Sequence, residues 1–113
     1  MPIAVDNLLR TASGPTDGEQ IRRLLSTEGA RIEQIVSHGQ ASPEGFWYDQ
    51  PGAEWVVLLQ GSATLTVEGE PGVELGAGDS LLIPARLRHR VERTSDDAVW
   101  LAVHLGQESD APS

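Results

Sequence analysis

The chain has 113 residues, enough for one domain with one core. Seventeen acidic residues against eight Lys and Arg give a formal charge of -9, and no basic stripe is present to neutralise phosphates, which argues against nucleic acid as a partner. Cysteine is absent, so disulfides, thiolate metal sites and a cysteine nucleophile are excluded. No charged-then-apolar leader and no apolar run near about 18 residues occurs, and the expectation is a soluble cytoplasmic protein without membrane contact.

Residues 1 to 15 show little periodicity and read as an arm that docks on the domain or stays loose. Thr16-Asp17-Gly18-Glu19 has the form of a capping box, and Ile21, Leu24 and Leu25 follow at helical spacing before Gly29. This predicts one short amphipathic helix, a lid on an open barrel end. From Ala30 the period becomes two. Ile32-Glu33-Gln34-Ile35-Val36 is strand-like, and Ser37 to Gly45 has loop composition.

Residues 46 to 61 form the stretch around which the rest is organised. Aromatics and a carboxylate (Phe46, Trp47, Tyr48, Asp49) precede a turn at Pro51-Gly52, and Glu54 then opens an apolar strand running to Leu59. Ala63, Leu65 and Val67 alternate with Ser62, Thr64 and Thr66, the pattern of a half-buried antiparallel strand. Short strands at Val73-Glu74-Leu75, Ser80 to Ile83 and Arg88 to Thr94 follow, separated by glycine and proline turns. Ala98 to Leu105 is the longest apolar strand, and residues 106–113 read as a flexible acidic tail. Many short, evenly punctuated strands argue an all-β barrel or sandwich over residues 30–105, with residues 1–29 as arm and helix packed on it.

A carboxylate at the head of a buried strand needs a partner, because burying it alone costs several kcal/mol. For Glu54 the candidates are a metal, His89 or an arginine. His89 follows the strand that ends at Pro84 and shares a face with Val91; it reads as a ligand or as a core histidine bonded to Glu54. His104 alternates with Ala102 and Trp100, so if the aliphatic face of that strand is the core, His104 points away from the site. A strand buried on both faces would reverse this. His38 reads as a polar loop residue at the pocket rim. Asp49 falls opposite Tyr48 and Gln50 in a regular strand, and a bulge at Pro51 would turn it inward. Trp47, Trp55 and Trp100 read most simply as packing groups. Trp55 lies on the face opposite Glu54, and a strand apolar on both faces predicts a covering layer, for which a homodimer is the cheapest source.

Glu54, six residues, then Gly61, with Gly78, Pro84 and His89 further on, resembles the two motifs of the cupin superfamily over roughly residues 30 to 105. Tyr48 and Gln50 fall where the family usually carries two histidine ligands, Arg86 where it carries a glycine and Arg93 where it carries an asparagine. The run from Ser42 to Gln50, with Ile83-Pro84-Ala85 and Trp100 to His104, is similar to a group of small bacterial single-domain cupins. The resemblance implies a cupin-type jelly-roll β-barrel and one divalent ion, iron, manganese, nickel or zinc, held by Gln50, Glu54 and His89. Around it would lie a pocket bounded by Tyr48, Asp49, His38 and His104. Two readings stay open: a metal-dependent oxygenase or isomerase of a small polar metabolite, and a metal-free binding or structural module.

Overall fold

The structure is a computed structural model that describes residues 3–10 and 18–106. These form eight strands: β1 (Gln20–Ser26), β2 (Ala30–Val36), β3 (Glu54–Gln60), β4 (Ser62–Val67), β5 (Val73–Gly76), β6 (Ser80–Ile83), β7 (His89–Thr94) and β8 (Val99–Leu105). A five-stranded antiparallel sheet in the order β1-β2-β8-β3-β6 faces a three-stranded one in the order β5-β4-β7, giving the all-β jelly roll. Each strand buries alternate side chains between the sheets. In β3 the buried set is Glu54, Val56 and Leu58, while Trp55 faces out. Ala63 and Leu65 of β4, Leu75 of β5, Ile83 of β6 and Trp100 and Ala102 of β8 complete the core.

The segment expected as a helix is strand β1. It pairs with β2 from Gln20↔Val36 to Ser26↔Arg31, with a bulge between Arg23 and Leu25. Thr16 and Asp17 of the expected capping box lie outside the described residues, as does most of the expected acidic tail. A helix this short makes few internal hydrogen bonds, whereas the free edge of β2 offers a full ladder. The bulge puts Ile21 on the inner face and Leu25 on the outer one, where an unbroken strand would put both on the same face.

Strand β8 also corrects the expectation. Trp100, Ala102 and His104 point between the sheets, and Leu101 and Val103 point outward. β8 lies in the middle of its sheet between β2 and β3, and its sequence is largely apolar on both faces, so its alternation carries no sign of which face is inner.

Two turns fix opposite ends of the barrel. Gly61 joins β3 to β4 at φ 89°, and a Cβ there would lie 2.9 Å from the Cα of Ala98 and against the Ser95 hydroxyl. Arg86, at φ 65°, is the one described non-glycine residue in the left-handed region; its N–H donates to the Gln50 carbonyl at 2.8 Å. Tyr48 is tied to the start of β7 by two backbone bonds, its N–H to the His89 carbonyl (2.7 Å) and the His89 N–H back to its own carbonyl (3.1 Å).

Candidate functional site

Strand registry brings five titratable side chains to one end of the barrel. Glu54 opens β3 and is flanked by Ile83 of β6 and His104 of β8. His89 opens β7 on the opposite sheet. Arg31 of β2 pairs with His104, and Glu33 is two residues along the same inner face. Between them is a cavity of about 100 Å³ that opens to solvent, with Glu33, Glu54, His89, His104, Tyr48 and Gln50 on its polar side. Val56, Leu65, Ile83 and Trp100 form the apolar floor.

Glu54 is the centre of this arrangement. Its Oε1 lies 4.0 Å from Nε2 of His89 and its Oε2 lies 3.9 Å from Nε2 of His104, both beyond hydrogen-bond reach. Nδ1 of His89 donates to the Leu87 carbonyl at 2.9 Å, so in the neutral ring Nε2 carries the lone pair and aims it at the carboxyl. Nε2 of His104 donates to Oε1 of Glu33 at 3.1 Å, and Nε of Arg31 lies 3.1 Å from the other oxygen of that carboxylate. Tyr48 stacks on the His89 ring, with centroids 5.4 Å apart and planes inclined by 23°.

Burial sets the protonation of the site. It raises the Glu54 carboxyl to about 7, with the Glu33 charge adding and Arg31 opposing. The same desolvation pushes both imidazoles below the ordinary histidine value; Arg31 lowers His104 further and Glu33 opposes, while the Leu87 carbonyl opposes the fall at His89. The Tyr48 phenol is raised by burial and then by the charges of Glu19 and Glu54. Near neutral pH the wall thus holds two neutral imidazoles beside a carboxyl divided between its two forms.

Tyr48, Gln50, Glu54, His89 and His104 meet on one cavity wall, and Asp49 and His38 do not. No bulge turns Asp49 inward: its half-exposed carboxylate lies 3.3 Å from Arg86 on the outer surface. His38 sits in the loop after β2, its backbone N–H donating to the Gln40 side chain, and its neighbour Ser37 reaches the site instead, donating to Glu19 at 3.3 Å. Glu33 and Glu19 were missed in the sequence. Glu33 carries the same signal as Glu54, an acid inside a β-rich run, but its relation to His104 spans 71 positions and depends on the β2-β8 pairing.

This fold and the two motif positions on facing strands define a cupin. The chain belongs to that family: the model described as Cupin domain matches residues 33–104. A structure from Ralstonia eutropha JMP134, provisionally named a mannose-6-phosphate isomerase, is 42% identical with a TM-score of 0.87, covering 91% of this chain and 98% of that one. An RmlC-like cupin from Methanocaldococcus jannaschii, with a double-stranded β-helix fold, is 18% identical at a TM-score of 0.69, covering 86% and 88% of the two chains. A cupin superfamily protein from Desulfitobacterium hafniense DCB-2 is 18% identical at a TM-score of 0.72, covering 85% and 84%. No curated protein matches the chain by sequence.

The donor set does not fit the divalent ion that the family resemblance implies. His89 and Glu54 present a lone pair and a carboxylate, but Nε2 of His104 is engaged by Glu33, and Tyr48 and Gln50 add only a phenol of raised pKa and a neutral amide. Among the described residues no three His, Asp or Glu side chains group as a metal site.

Proposed function

We propose that the chain binds a small polar metabolite in the cavity between its sheets, held by Glu54, His89 and Tyr48 without a resident metal. The observation that carries this reading is Glu54, whose side chain is 10% exposed, lines the cavity and has no hydrogen-bond partner among the described residues. A carboxyl turned into a largely apolar cavity is a strong acceptor, and an occupant that bonds to it gains more than the same contact would on the open surface. Tyr48 and Trp100 offer flat apolar surface for the rest of the molecule.

A second reading, acid–base isomerisation of the bound molecule, is favoured by the carboxyl at about 7 facing an unprotonated Nε2. Glu54 could give or take a proton near neutral pH, and His89 would hold the complementary position. The activity in the name of the Ralstonia protein finds little support in this wall. A sugar phosphate needs cationic anchors, and the described lining has Glu19, Glu33 and Glu54 but no Lys or Arg.

Two measurements test the proposal. Elemental analysis of protein purified without chelator should find far less than one transition metal per chain, and added divalent ions should leave the unfolding midpoint unmoved. A stoichiometric ion lost in His89→Ala would restore the metal reading. Separately, a screen of mixed small polar metabolites should shift the imidazole NMR signals of His89 and His104 saturably, and a screen that leaves them unmoved removes the binding reading.

A further inference from the structure

Three features of the cavity bear on what it holds. The first is spacing. Glu54 Oε1 and His89 Nε2 are 4.0 Å apart, too far to bond to each other, yet one donor atom can sit about 2.8 Å from both. When Glu54 is ionised both are acceptors, since His89 spends its proton on the Leu87 carbonyl. The occupant therefore offers at least two hydrogens from one atom.

The second is charge. Glu19, Glu33 and Glu54 line the wall, and no described Lys or Arg does; the guanidiniums at its edge are Arg31, bound to Glu33, and Arg23, which stands opposite Glu33 in the β1-β2 ladder and acts on His104 through its charge. The imidazoles add no charge near neutral pH. A carboxylate or phosphate brought here would meet like charge without an anchor, whereas a cation would pair with Glu54 in its ionised form. The third is size. A closed apolar cavity of about 150 Å³ accommodates benzene, so about 100 Å³ encloses only some four or five heavy atoms, with anything larger protruding through the open mouth.

We propose that the ligand is a small primary ammonium compound without an anionic group, its nitrogen seated between Glu54 and His89 and its short apolar portion against Trp100 and Tyr48. This rests on the reading of the cavity as a binding site. A primary ammonium supplies three donors from one atom, and a hydroxyl supplies one and no charge. The occupant thereby satisfies the unpartnered carboxyl and the facing lone pair together.

The test uses three molecules of similar size, n-propylammonium, n-propanol and propionate, titrated into full-length protein with sodium chloride holding ionic strength constant. The readout is the imidazole NMR signals of His89 and His104. Propylammonium should shift them saturably with millimolar affinity, roughly tenfold tighter than propanol, since a charged donor on a carboxylate gains over a neutral one. Propionate should not bind. Glu54→Gln should abolish the propylammonium response while its amide spectrum stays folded, and Glu68→Gln, which removes an exposed carboxylate paired with Arg88, should keep it. The ammonium assignment is overturned by a response unchanged in Glu54→Gln, by propanol or propionate binding as tightly, or by no saturable shift with propylammonium. If propanol or propionate alone saturates the signals, the assignment falls and the cavity remains a binding site. If none of the three and no member of the metabolite screen moves them, both fall.

Discussion

Glu54 is held where its charge is unwelcome, and that gives the protein a pH signature. Its folded pKa of about 7 lies above the ordinary 4.5, so between those values the folded chain binds more protons than the unfolded one. Its contribution to stability is full below the unfolded pKa and is lost as pH rises through about 7. The lost amount is roughly 3 kcal/mol at most. Glu54→Gln, neutral at every pH, should match the parent near about pH 4 and exceed its stability in urea by up to that amount near about pH 9. Parallel curves would show that burial does not hold the proton. The lowered imidazoles act oppositely, losing stability as pH falls below their ordinary value, so the difference between the two proteins isolates the carboxyl. Arg86 is a second local cost. A left-handed non-glycine residue costs about 1–2 kcal/mol, and its exposed bridge to Asp49 returns about 0.2–1. Arg86→Gly should leave thermal stability equal or slightly higher, even after the backbone entropy a glycine adds; a loss beyond about 1 kcal/mol would mean the Asp49 bridge outweighs the strain. Glu54 and His89 were legible because each stands at a fixed offset from a glycine or proline turn. Glu33 and the reach of His104 were not, because nothing local to either residue says which strand will lie beside it.

At the level of strands, the turns and the periods were readable and the faces were not. The strands from β2 onward follow alternation and glycine punctuation, and Gly61 shows why the punctuation is reliable. Gly61→Ala should destabilise by about 2 kcal/mol or more, since a Cβ would meet both the Ala98 backbone and the Ser95 hydroxyl at a positive φ; calorimetry would measure it, and a neutral result would show that the β3-β4 turn can shift. β1 was misread because Ile21, Leu24 and Leu25 stand at helical spacing, while what makes the segment a strand is its pairing with β2, which local spacing does not show. β8 was misread because a central strand is apolar on both sides, and the aliphatic face that seemed to be core is the outer one.

For the whole molecule, that outer face is the notable surface. Registry aligns Leu25, Ile32, Val103, Trp55 and Leu82 in one row across all five strands of the larger sheet. Trp55 is 39% and Leu82 57% exposed. We propose that a second copy covers this row, because a flat face with an uncharged centre suits a self-complementary contact in a chain whose overall charge of -9 opposes non-specific association. Light scattering after gel filtration should give a dimer that Trp55→Glu reduces to a folded monomer; a monomeric parent would remove the idea.

β8 has a consequence for how the protein is made. It is the last described strand, yet it lies in the middle of the larger sheet, and β2 and β3 touch that sheet's other half only through it. While a ribosome is still delivering residues before Val99, the β1-β2 hairpin and the β3-β6 pair have nothing to join them, and the inner face of the cavity lacks Trp100 and His104. Assembly of this sheet therefore waits for β8, a late closure of long-range contacts rather than stepwise growth from the N-terminus. Nascent chains stalled before β8 emerges should remain protease-sensitive throughout, and chains stalled after it has cleared the exit tunnel should become resistant in a single step.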